Sequence, residues 1–465
     1  MRKLLEAQRS AFMAELPVSL DVRRDRLERA IAMVSENAAR LCDALSEDFG
    51  HRSRDQSMIT DIAASVSPLR HALKHVRGWM KPERKPTLFP LGLLGGRAWI
   101  EYHPKGVVGI IAPWNFPVQL VMSPLAGVLA AGNRAMVKTS EFTPAVAALF
   151  EELACRYFEP EELVFVSGGA DVGHAFASLP FDHLLFTGAT GIGRHILHAA
   201  ADNLTPVTLE LGGKSPVIVG RPADIARATE RVAMGKMLNA GQICLAPDYM
   251  LVPEEKEAEI VAGLRDAAAR MYPAPLTNPD YTAIINDRHY RRLTEWIDDA
   301  RAKGAEVIAV EGAGEPSNAR KLPLHIVRNP TDDMLVMQEE IFGPVLPVRS
   351  YAQIDDAIAQ VNRRDRPLAL YYFGNDAAER RHVLDRTISG GVTLNDVIFH
   401  ISQEDLPFGG IGPSGMGAYH GEAGFRTFSH ARSVYSQTRI DVAGLAGLKP
   451  PYGKKTRASV ARQIK

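Results

Sequence analysis

The sequence predicts an α/β protein built from two parallel-sheet domains, and three observations predict it. Short β-branched runs recur between residues 107 and 219, with amphipathic stretches between several of them, which is the signature of βαβ units. A second alternating series follows from residue 249 to residue 394. The chain has 465 residues, too many for one hydrophobic core.

Leu27, Ile31, Val34, Ala38, Leu41 and Leu45 fall at spacings of four and three. They make one apolar stripe of a helical segment that Gly50 is placed to cap. Cys42 lies on this segment and Cys155 on a second helical stretch, 145–157; both read as small core residues. From 81 to 102 the pattern breaks into Pro, Gly and alternating apolar residues, an extended excursion rather than core. Strands are then expected at 107–111, 135–137, 163–166, 183–186, 207–209 and 217–219, with helices at 144–157 and 191–203. The second series predicts strands at 249–252, 345–348, 368–373 and 391–394 and helices at 256–271, 354–361 and 377–387. Residues 454–465 carry five basic and no acidic residues and read as a solvated tail.

Composition narrows the function classes. Lys plus Arg and Asp plus Glu are equal at 54 each, so no global field favours nucleic acid or anionic lipid. Three cysteines make no disulfide framework and suit a reducing compartment. The opening residues mix Arg2 and Lys3 with Glu6 and Glu15 and lack a continuous apolar run. The apolar stretch 88–94 holds Pro90 and Gly92 and is too short to span a bilayer. A cytoplasmic protein is expected.

The chemistry is concentrated in a few turns. Leu209-Glu210-Leu211-Gly212-Gly213-Lys214 sets a carboxylate between leucines, where desolvation raises its affinity for protons. Gly241-Gln242-Ile243-Cys244 follows 34 positions later and sets a thiol in a loop, where exposure and a lowered pKa are expected to favour nucleophilic attack. Gly188, Gly191 and Gly193 open a helix straight after an apolar run. That turn reads either as a phosphate cradle or as an ordinary Gly-rich βα turn. Lys138 and Glu141, just past a strand, read either as ribose ligands or as a surface pair. Asn115, between Pro113 and Pro117, reads either as a rigid oxyanion donor or as a structural turn residue. Glu339 and Glu340 are adjacent, but no His or third acid lies near them in sequence, so no metal is expected.

Taken together and in order, these turns resemble the aldehyde dehydrogenase family over about residues 20–455. The matching blocks are PWNFP at 113–117, VKTSE at 137–141, FTGATGIG at 186–193, LELGGK at 209–214, GQIC at 241–244, EEIFGP at 339–344 and LPFGGIGPSGMGAYHG at 406–421. The last block, with SGGVTLNDV at 389–397, APDY after Cys244 and PPYGK at 450–454, is similar to the dimeric class 3 branch. DFGHRSRDQSMITDI at 48–62 looks like the bacterial coniferyl aldehyde dehydrogenases within it.

The resemblance implies a Rossmann-type cofactor domain (1–85 and 103–213), an α/β catalytic domain (214–409), bridging and oligomerisation segments (86–102 and 425–450) and a basic tail (451–465). It implies Cys244 as nucleophile, Glu210 as general base and Asn115 as oxyanion donor. Lys138 and Glu141 would hold the adenosine ribose, Gly188 and Gly193 the pyrophosphate turn, and Glu340 and Phe342 the nicotinamide end. Gly191 departs from the family, where a larger residue is common. NAD is the expected cofactor, with NADP as the alternative. The expected substrate is a hydrophobic or aromatic aldehyde, held by Phe116, Gln119, Leu238, Ile243, Ile398 and Phe399. A homodimer is expected, with no nucleic-acid or membrane partner. A broad medium- to long-chain aliphatic enzyme is the alternative. A CoA-acylating enzyme would need no base at Glu210.

Overall fold

The computed structural model of the chain describes residues 1–310 and 320–464. Three sheets organise it. In the first, six strands run in the spatial order Gly415–Met416, Val207–Leu211, His183–Gly188, Val107–Ile111, Arg134–Lys138, Leu163–Val166. All its pairings are parallel except that of the two-residue edge strand 415–416. The chain winds outward from Val107–Ile111 in one direction and then returns to its other side. That reversal makes a topological switch point, the position where ligands of open parallel sheets collect at the strand C-termini.

The second sheet has seven strands: Glu306–Ala309, His325–Arg328, Val345–Tyr351, Tyr249–Pro253, Pro216–Val219, Ala369–Phe373 and Gly391–Leu394. Only the first pairs antiparallel. Its central strands are buried on both faces, as their continuous apolar runs require. The third sheet is antiparallel and joins Glu83–Lys85, Arg97–Pro104 and Ser429–Ser436, so the excursion after residue 81 is an extended ribbon as expected.

Two sequence expectations need correction. The stripe from Leu27 to Leu45 is carried by two helices, Leu20–Ser35 and Ala38–Phe49. Asn37 divides them, because its side-chain amide donates to the Met33 carbonyl at 3.0 Å and to the Tyr157 hydroxyl at 3.2 Å and so competes with the helical ladder. Leu27, Val34, Leu41 and Leu45 are buried and Ile31 and Ala38 partly buried against the same core, and Gly50 caps the second helix at φ 75°. Cys155 is exposed, not core. The helix Pro144–Tyr157 buries Val146, Phe150, Leu153 and Ala154, which leaves residue 155 on the solvent side.

Several elements carried no sequence expectation. Strands 306–309 and 325–328 have only four residues each, too few to show a period, and the helix Gln119–Ala130 is buried on every side and has no polar face to mark its period. Among the described residues, no helix is long and apolar enough to cross a membrane. The basic tail forms a helix, Lys454–Gln463, with no buried residue; Lys465 lies outside the described residues.

Candidate active site

Glu210 sits on the strand Val207–Leu211, opposite Thr187 on one neighbour and Gly415 on the other. It is 3% exposed, and neither carboxyl oxygen has a hydrogen-bond partner. Burial pushes its pKa well above the ordinary carboxylate range, as the leucine flanks predict.

Cys244 lies on the turn that follows the helix Ile225–Met237 and leads into Tyr249–Pro253. The turn bends through three successive left-handed residues, Asn239 (φ 49°), Ala240 (φ 51°) and Gly241 (φ 72°). Gly241 is needed there, since a Cβ would lie 2.4 Å from the Gly343 carbonyl oxygen. The Cys244 thiol is half-buried, and its pKa is not lowered. Burial pushes it up, and the carboxylates Glu340 and Glu210 add to the shift; the N–H groups of Cys244 and Leu245 oppose it. The expectation of a lowered pKa fails because the thiol is desolvated first of all, and because the charges it feels are carboxylates rather than cations.

Asn115 is 3% exposed and donates one amide hydrogen to the Gln242 carbonyl at 3.2 Å, leaving the second free. A buried polar network fixes both loops. Arg52 and Asp61 form an ion pair at 2.6 Å with no side-chain exposure. Arg52 also donates to the Asn115 carbonyl at 3.0 Å, and Asp61 accepts from the Val118 N–H at 3.2 Å. Asn239 donates to the same Asn115 carbonyl at 3.1 Å and to the Gln242 carbonyl at 3.2 Å. Gln242 spans the turn, donating to the Asn239 and Ala283 carbonyls and accepting from the Ile285 N–H. Gln56 closes the network onto Asn239.

Sequence reasoning assigned no role to Arg52, Gln56, Asp61, Asn239 or Gln242. Arg52 and Asp61 are nine positions apart, which is no repeat of a regular helix face; Asp61 sits inside a π-helical turn, Met58–Ala63. A Gln beside the candidate thiol was the one visible signal.

The cofactor side gathers the remaining predicted residues. Lys138 ends its strand almost fully buried and meets the half-exposed Glu141 at 3.3 Å. Gly188 ends the strand His183–Gly188, and the helix Thr190–Ala201 starts two residues later. A Cβ on Gly188 would strike the Phe186 ring at 2.5 Å, and one on Gly193 would strike Leu211 at 2.8 Å. Gly191 meets nothing within 4 Å, so its departure from the family leaves room above the helix N-terminus. Thr187 Oγ1 is buried there without a partner. An open helix N-terminus with an unpartnered hydroxyl fits a pyrophosphate.

Lys214 pairs with Asp248 and donates to the Val336 and Glu339 carbonyls at 2.8 Å, which ties the LELGGK turn to the EEIFGP loop. Burial pushes the Glu340 carboxyl up to about 8 with help from Asp248, against the Gly213 N–H and the Lys214 and Arg292 charges. A Cβ on Gly212 would lie 2.0 Å from the same carboxylate, so a larger residue there would push the Glu340 carboxyl aside. Phe342 holds φ 49° and meets Trp114 edge-on at 5.3 Å. Among the described residues, no group of three or more His, Cys, Asp or Glu side chains is arranged to hold a metal ion.

Two linked α/β sheets, a glycine-lined helix N-terminus and a cysteine between buried carboxylates define a class: dinucleotide-dependent oxidoreductases. Comparison makes the assignment specific. Residues 1–434 match the model of the aldehyde dehydrogenase family, and the chain belongs to that family. It is therefore an NAD(P)-dependent aldehyde dehydrogenase. A probable coniferyl aldehyde dehydrogenase of Caulobacter vibrioides is 54% identical, over 100% of this chain and 97% of its own. A coniferyl aldehyde dehydrogenase of a Pseudomonas species is 52% identical, over 97% and 93%. The substrate-bound structure of Staphylococcus aureus AldH superimposes with a TM-score of 0.93 at 35% identity, covering 100% of this chain and 99% of that one.

Proposed function

We propose that the chain oxidises aromatic and bulky hydrophobic aldehydes, with coniferyl aldehyde the leading substrate, to carboxylic acids through a covalent intermediate on Cys244. The observation that carries the reading is the half-buried Cys244 thiol, which feels the charge of the unpartnered, 3%-exposed Glu210 carboxyl. Cys244 adds to the aldehyde carbon, and its proton passes to a neighbouring carboxylate. The free Asn115 amide hydrogen and the Cys244 N–H stabilise the oxyanion. Bound nicotinamide supplies the hydride acceptor. Cys244 then holds the acyl group as a thioester, and Glu210 takes a proton from the water that releases the acid.

Lys138 and Glu141 hold the adenosine ribose, Gly188 and Gly193 leave room for the pyrophosphate, and Glu340 and Phe342 hold the nicotinamide end. Residues 1–85 and 103–213 serve as the cofactor domain and 214–409 as the catalytic domain. Residues 86–102 and 425–450 carry the homodimer contact. A cytoplasmic location accords with three unpaired cysteines.

The names of the two bacterial relatives and the apolar character of Phe116, Leu238, Ile243, Ile398 and Phe399 support the aromatic substrate. A CoA-acylating reaction is disfavoured because it has no use for a base at Glu210. The test is a panel of coniferyl aldehyde, medium-chain alkanals, acetaldehyde and a carboxylated semialdehyde with NAD or NADP, read by absorbance of the reduced cofactor. Coniferyl aldehyde with NAD is expected to give the highest kcat/KM, because a 2′-phosphate would meet Glu141. Preference for acetaldehyde or the semialdehyde would overturn the substrate assignment.

A further inference from the structure

The buried polar atoms near Cys244 that lack a partner fall on two sides. Thr187 Oγ1, Glu340 Oε1 and Lys236 Nζ lie toward the cofactor residues. Tyr419 Oη, His420 Nδ1 and Glu404 Oε2 form a second group, for which neither cofactor binding nor thioester chemistry has a use. Tyr419 is 1% exposed and His420 5%. The Tyr419 hydroxyl feels the negative charges of Glu210, Cys244 and Glu404 together, and the Glu404 carbonyl packs against Gly421, where a Cβ would approach it to 2.2 Å. Phe408 packs beside both, edge-on to Tyr419 at 5.8 Å and stacked on His420 at 5.2 Å.

Glu404 follows the turn Phe399–Ser402, just beyond the apolar wall residues Ile398 and Phe399. Its carboxyl accepts from the Ser67 hydroxyl and leaves Oε2 buried with no partner. Burial pushes this carboxyl up to about 7, against the Ser67 hydroxyl and with help from Asp405. A carboxylate held partly dry at the end of an apolar wall costs free energy unless something donates to it. A plain alkanal offers no donor, and an anionic far end would be repelled.

We propose that Glu404 recognises a hydroxyl group on the substrate's aromatic ring, at the end opposite the aldehyde. The proposal rests on the aromatic-aldehyde reading above. A 4-hydroxylated phenylpropenal is rigid and conjugated, with its carbonyl and its phenol at opposite ends. With the carbonyl at Cys244, the ring lies along Phe408 and Ile398, and the phenol donates to the free oxygen of Glu404. Recognition of this kind acts by exclusion, since an analogue without the donor leaves the buried acceptor unpaired.

The test compares kcat/KM for coniferyl aldehyde, its 4-O-methyl ether and cinnamaldehyde. The wild-type enzyme should favour coniferyl aldehyde over the ether by roughly tenfold or more, the worth of a hydrogen bond to a charged group. Glu404→Leu should bring that ratio close to one. Glu404→Gln should keep part of it, because the amide oxygen still accepts. A wild-type enzyme indifferent to the three, or a Glu404→Leu variant that loses all three in equal proportion, would overturn the proposal and leave the aromatic reading standing. Oxidation of alkanals but none of the three would overturn both.

Discussion

Cys244 and Glu210 are a thiol and a carboxyl that both hold protons more tightly than usual, so neither is poised as an ion in the free chain. Because the thiol pKa is raised, the reactive thiolate grows only as pH rises. In a Cys155→Ser background, which removes the exposed competitor, iodoacetamide labelling of Cys244 should climb through the alkaline range; a plateau below pH 8 would contradict the raised pKa. In the proposed mechanism Glu210 acts after hydride transfer. Glu210→Gln should therefore keep a single-turnover burst of reduced cofactor and lose about 10²-fold or more in steady-state rate. An unchanged steady state would remove Glu210 from the mechanism. The motif spelling exposed these two residues; it did not expose the direction of the Cys244 shift, which burial in the folded chain sets and Glu340, 96 positions further along, increases.

At the scale of elements, two loops from different sheets are held together by groups that hardly touch solvent. Asp61 neutralises Arg52 and accepts from the Val118 and Gln119 N–H groups, so the loop carrying Asn115 hangs from one carboxylate. Asp61→Ala leaves an uncompensated buried guanidinium and should cost about 3–5 kcal/mol, read as a lower unfolding midpoint together with a fall in kcat. An unchanged midpoint would mean that the pair does not support the loop. Strain is gathered in the same elements. Phe342, Asn395, Ile398 and His420 all hold positive φ, and the β-branched Ile398 is the most unfavourable of them. The strands of the parallel sheets were legible as continuous apolar runs, because both faces are covered, and helices such as Pro144–Tyr157 as apolar stripes, because one face meets solvent. The π turn at Met58–Ala63 and the left-handed turn before Cys244 were not, because their side chains carry no period.

At the scale of the molecule, the antiparallel three-stranded sheet stands apart from the two parallel ones, and the segment beside it exposes Leu88, Phe89 and Leu93 at 78–80%. Apolar side chains gathered this way mark a surface that another protein covers. Light scattering should give the mass of two chains, and Leu88→Asp with Phe89→Asp should shift it toward one; a wild-type monomer would contradict the assignment of residues 86–102.

The sequence by itself determined the fold class, the family and the spelling of the catalytic turns. Those are properties of local pattern: alternating β-branched runs, glycines where backbone must bend or approach closely, and a thiol and carboxylate in fixed motifs. It also predicted the glycine cap at residue 50. Only the tertiary structure divided the first helix at Asn37 and turned Cys155 outward. Only it joined Arg52, Asp61, Asn239 and Gln242 in one buried network and left a carboxyl oxygen of Glu404 buried without a partner. The physical reason is that burial and charge act through space. A side chain's partners in a two-sheet fold come from strands and loops far apart in the chain, and no window of sequence contains both.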